Sequence, residues 1–123
     1  MMKRFSESAQ NYQKALLFDK ESSYLFGAYL FLGVLYEKAK NPTQAQLQYL
    51  KAVYFFENKK KSTDKFFEDV NKVDYALALK FSGNNEAWDK LLNNPFYKKH
   101  LDVYIGKTRN EMLEIYFKPF SGD

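Results

Sequence analysis

An all-α fold is predicted by three features of this chain. Apolar residues recur at three- and four-residue spacings, as on Ala9, Tyr12 and Leu16 or Leu32, Leu35 and Tyr36. Helix starts are written out as Asn41-Pro42, Asn94-Pro95 and the box Thr108-Arg109-Asn110-Glu111. No segment alternates apolar and polar residues as a half-buried strand would.

The elements follow in order. A first helix is expected over about 5–19, with Ala9, Tyr12, Ala15, Leu16 and Phe18 near one face. A second begins after Ser22 or Ser23 and runs to about Lys40. Asn41 then caps a third, with Pro42 at its first position and Gln44 three after the cap, lasting to about Glu57. So short a connection forces helices two and three into an antiparallel hairpin. Ser62 or Thr63 caps a fourth helix, whose early acids Asp64, Glu68 and Asp69 suit the helix dipole and whose stop is Gly83. Asn84 or Asn85 opens a short fifth to about Asn93, Asn94-Pro95 a sixth to about Ile105, and Thr108 a seventh to Phe117.

Composition bounds the function. At 123 residues the chain has the length of one small domain. It has no cysteine, which removes disulfides, thiolate metal sites and cysteine nucleophiles, and a single histidine, His100, which leaves little for a metal or for acid–base chemistry. No cofactor is expected, and no nucleophile, phosphate loop or oxyanion motif accompanies Glu111 and Glu114, so the chain reads as a non-enzyme. The net charge is +4, yet only Arg4 and Arg109 among 19 basic residues are arginine, which argues against nucleic acid despite the clusters Lys59-Lys60-Lys61 and Lys98-Lys99. The uncharged run from Tyr24 is 13 residues long before Glu37, too short for the roughly 20 a membrane span needs. With no apolar leader after Met1, a cytoplasmic location is the expectation. Phe, Tyr and Trp make 19% of the chain, and such rings let a small domain bury much area.

A repeat signal lies in the second and third helices. Tyr29, Leu32, Gly33 and Tyr36 fall on the W-x2-L-G-x2-Y pattern with Tyr for Trp, and Ala45, Tyr49 and Ala52 follow at the spacing of A-x3-F-x2-A. This resembles a tetratricopeptide repeat over about 26–59, with a degenerate repeat over 63–93 and C-terminal helices over 95–117. Lys40 stands where the family's turn glycine is common, and Glu57 where its terminal proline is usual. Gly33 and Ala45 are the small residues that permit close approach; Leu32, Tyr36 and Tyr49 fill the seam.

The resemblance implies a concave groove lined by the first helix of each repeat. Carried onto this chain, its positions are Gly27, Leu30, Phe31, Val34, Glu37 and Lys38, then Val70, Val73, Asp74 and Leu77. Relatives that clamp a carboxylate terminus place Lys and Asn in the central slots, where Leu30, Phe31 and Val34 stand here. The resemblance therefore implies a non-catalytic adaptor or small chaperone that takes an apolar or amphipathic protein segment, with Glu37, Lys38 and Asp74 orienting it. Three other readings stay open: the strip is sealed by neighbouring helices, it joins copies of the chain into a homo-oligomer, or the lysine clusters bind RNA or another nucleic acid.

Overall fold

The computed structural model describes residues 2–16, 25–58 and 65–120. They form seven α-helices and a closing 3-10 turn, with no strand among the described residues: α1 Met2–Leu16, α2 Leu25–Lys38, α3 Pro42–Asn58, α4 Lys65–Phe81, α5 Asn85–Leu91, α6 Pro95–His100 and α7 Arg109–Phe117. The expected all-α class holds. The stretch 59–64, with the lysine run and the Ser62 or Thr63 cap, lies outside the described residues, as does 17–24.

Local chemistry sets the helix ends. The Asn41 side chain accepts from the Gln44 amide at 3.3 Å, and Pro42 occupies the first helical position. Asn84 caps α5 through the Ala87 amide at 3.1 Å, and Asn94 caps α6 through that of Phe96 at 2.8 Å. Thr108 and Glu111 close both bonds of the capping box on α7. Gly83, at φ 95°, ends α4 with paired bonds from Gly83 N–H to Lys80 C=O and from Asn84 N–H to Leu79 C=O.

The end of α2 uses the same pair, Lys40 N–H to Glu37 C=O and Asn41 N–H to Tyr36 C=O, but its left-handed residue is Lys40 at φ 61°. A side chain there carries the steric cost that glycine avoids. Lys40→Gly should therefore raise the free energy of unfolding by about 0.5–1 kcal/mol, read from a urea midpoint.

Helix six is shorter than the sequence suggests. It ends at His100, and residues 101–106 continue as turns, with Tyr104 N–H bonded to Leu101 C=O and Gly106 at φ 82°. Val103 and Ile105 are β-branched and exposed, so neither intrinsic preference nor burial extends the helix.

Helices α2, α3 and α4 form the centre. Antiparallel α2 and α3 meet where the Tyr49 ring lies across Gly33 and Tyr29 stacks on Phe55 at 5.3 Å. Helix α4 packs on both, with Phe56 stacked on Tyr75 at 4.2 Å and the Gln46 amide donating to Ser82 C=O at 2.9 Å. Helix α1 lies on α2 through Tyr12 against Phe31 and a 2.6 Å bond from the Tyr36 hydroxyl to Gln13. Helix α7 bridges three neighbours: Phe117 meets Phe5 of α1, Tyr116 meets Phe81 of α4, and Lys38 of α2 lies over the Phe117 ring. One core results, running from Ala9 through Leu30, Val34, Tyr49 and Leu77 to Leu113 and Phe117. Among the described residues no helix is long and apolar enough to cross a membrane.

Candidate functional site

The face of α2 that the sequence offers as a groove is closed. Leu30 and Val34 are fully buried, Phe31 is half-buried against Tyr12 of α1, and Leu77 of α4 is buried in the same core. None of Leu30, Val34 and Leu77 presents surface to a partner, which corrects the expectation for these three. Helices α1, α3 and α4 all pack on α2, and these three residues lie in the core they share.

Glu37 and Lys38 are also committed within the chain. The Arg109 guanidinium of α7 forks onto the Glu37 carboxylate, with Nη1 3.2 Å from Oε2, and its Nη2 donates to Phe81 C=O at 2.7 Å. The Tyr49 hydroxyl donates to the same carboxylate at 3.3 Å. Glu37 holds the Arg109 proton more firmly than usual, while burial and the neighbouring carboxylate push the Tyr49 hydroxyl far up. Lys38 pairs with Glu114 of α7. The expected rim residues thus clamp α7 onto α2 instead of orienting a partner.

The clamp is half-exposed, at 38% for Arg109 and 20% for Glu37, so it is worth less than a fully buried pair. Arg109→Ala should destabilise the chain by about 2 kcal/mol in thermal or urea denaturation. Arg109→Lys should recover less than half of that, because an ammonium cannot serve the carboxylate and the carbonyl as a fork does.

The second half of the expected groove, apart from the buried Leu77, borders an open cleft. Phe66, Asp69, Val70, Val73 and Asp74 of α4, with His100 from the end of α6, line a cleft of about 280 Å³. Phe66, Val70 and Val73 are spaced i, i+4 and i+7, which places them in one ridge along the helix. The ridge is accessible, with Phe66 70% and Val70 40% exposed and Val73 partly buried beneath them. Helix α6 reaches the cleft through His100, whose ring lies 4.3 Å from that of Phe96, and the Lys72 ammonium of α4 lies 5.0 Å from the Phe96 centroid.

Asp74 lies at the inner end. A Cβ on Gly27 would sit 2.9 Å from its Oδ2, so the missing side chain at Gly27 is what admits the carboxylate against α2. Burial pushes its pKa up to about 7; burial first, and then the Asp74 charge, pushes the Tyr104 and Tyr116 hydroxyls upward. Among the described residues no three His, Asp or Glu side chains converge as a metal site needs.

Three of the nine expected partner-binding residues, Val70, Val73 and Asp74, therefore line one cleft, while Leu30, Phe31, Val34, Glu37, Lys38 and Leu77 serve packing within the chain. Phe66, Asp69 and His100 were not foreseen at the site. Extending the i, i+4 spacing one turn back from Val70 reaches Phe66, so that residue was within reach of the sequence.

Comparison of the chain with protein-family models, with curated proteins and with solved structures finds no match.

Proposed function

We propose that this chain is a non-catalytic protein-interaction module, an adaptor or small chaperone of tetratricopeptide-like build, which takes an apolar or amphipathic segment on the Phe66-Val70-Val73 ridge of α4. The observation that carries the reading is the open, ridge-sided cleft in a chain whose other groove positions are consumed by packing. A helical segment recognises such a ridge through its own i, i+3, i+4 and i+7 side chains. The family-like build is supported by the α2–α3 hairpin with Gly33 beneath Tyr49 and by α4 resting on both of its helices. That neighbour relation is what stacking of successive hairpins requires.

The test is selection of binders from a displayed library of amphipathic helical peptides, followed by affinity measurement with variants. Val70→Glu and Phe66→Ala should each lower affinity at least tenfold while circular dichroism stays unchanged, since apolar anchors dominate such interfaces. Selected peptides that bind both variants as well as the parent would refute the site.

A second reading has its own observation. Leu47, Leu50 and Tyr54 stand 44%, 50% and 61% exposed at i, i+3 and i+7 on α3, a stripe suited to self-association. Light scattering across a concentration series decides it: a dimer that Leu50→Glu converts to a folded monomer would make the chain a homo-oligomer built through α3.

A further inference from the structure

The cleft is apolar along one side and carries carboxylates at two places, Asp69 and Asp74. Resting on the reading above, we propose that the partner segment is basic: a Lys or Arg side chain enters the cleft between the apolar anchors, and Asp69 and Asp74 receive its charge.

Charge complementarity is the argument. The chain as a whole is +4, so a basic partner gains nothing from the overall field and must be drawn by a local one. The cleft lining sets two carboxylates against the single imidazole of His100. Neither Asp69 nor Asp74 forms an ion pair or side-chain hydrogen bond among the described residues, although lysines are abundant. Lys72, two residues before Asp74, directs its ammonium over the Phe96 ring instead. A partly buried carboxylate without a partner costs stability, and the lining carries no lysine or arginine to offset it, His100 being its one basic side chain. A cation from outside supplies that charge.

Size and geometry narrow the ligand. At about 280 Å³ the cleft lies just below the roughly 300–1,000 Å³ of small-molecule and cofactor pockets, and it suits one long side chain with its flanking contacts. The aliphatic stem of Lys or Arg can lie along Val70 and Val73 while its head reaches the carboxylates. Asp74 is already positioned, because its carboxylate is seated against the backbone of α2 at Gly27. A bare metal ion does not fit the cleft, since no three ligating side chains converge among the described residues.

The experiment uses the full chain and three synthetic helical peptides of 18 residues, sharing leucine anchors at i, i+4 and i+7. They differ in one residue between the anchors: Lys, Gln or Glu. Fluorescence anisotropy should give the order Lys, then Gln, then Glu, with Lys about tenfold tighter than Gln, the magnitude expected for a charge-assisted hydrogen bond. Asp69→Asn with Asp74→Asn should bring the Lys peptide to the level of the Gln peptide and leave the Gln peptide unchanged. Equal affinities for all three peptides, with binding still lost in Val70→Glu, would overturn the basic-residue inference and leave the apolar ridge standing. If no peptide binds, both fall.

Discussion

Asp74→Asn should stabilise the chain at neutral pH by about 3 kcal/mol and remove a pH dependence that the parent shows between pH 4 and 7. The carboxyl has an ordinary value of 3.8 and is raised to about 7 in the fold by burial. Between those values the folded chain holds a proton that the unfolded chain has released, so stability is full below pH 4, falls as pH rises to 7, and is level above. Groups facing Asp74 are the Tyr104 and Tyr116 hydroxyls, with Asp69 and His100 along the cleft. The informative quantity is the difference between parent and variant in urea midpoints from pH 4 to 8. A difference that does not grow with pH would mean that the Asp74 carboxylate is better solvated or paired than its surroundings indicate.

The second large effect is at Gly33. A Cβ there would fall inside the van der Waals envelope of Tyr49 Cδ1 and Cε1. The ring cannot swing aside freely, because its hydroxyl is bonded to Glu37 at 3.3 Å and its face packs on Phe81 at 5.6 Å. Gly33→Val should cost about 3 kcal/mol, the upper end for overpacking, and Gly33→Ala about 1–2 kcal/mol, since alanine's better helix preference offsets part of the clash. Thermal denaturation followed by circular dichroism measures both. The residue pattern Leu32-Gly33 with Tyr49 thus has a mechanical basis: the Tyr49 ring occupies the space that a side chain at 33 would fill.

Features governed by near neighbours were legible in the sequence. Asn41-Pro42, Asn84, Asn94-Pro95, Thr108 to Glu111 and Gly83 each act within four residues, so their residue types are sufficient to place helix ends. The groove was legible by half. Helix α2 is apolar nearly all round in its residue types, but whether its groove positions are open depends on α1, whose Tyr12 meets Phe31, and on α7, whose Arg109 meets Glu37 across 72 residues. Periodicity carries no information about such a distant cover. On α4 the same pattern was left uncovered, and Val70, Val73 and Asp74 line a cleft. His100 became part of it because α6 stops where it does, and that stop depends on the weak helix preference of 101–106 more than on any marked breaker.

A stability–function tension runs through α4. Its first half keeps Phe66 and Val70 exposed and an unpartnered Asp74 partly buried, while its second half supplies the buried run Ala76, Leu77, Ala78, Leu79 and Phe81. The anchored half fixes the position of the exposed half, as a binding site on a rigid element requires.

The central claim is that partners engage the first half of α4 and not the closed face of α2. Amide chemical-shift mapping on the labelled chain, titrated with the leucine-anchored Lys peptide, tests it most directly. Shifts are expected only at residues 66–74 and 96–104, with α3 and α7 unmoved. Shifts centred on Leu47, Leu50 and Tyr54, or release of α7 from Glu37 and Lys38 on peptide addition, would contradict it.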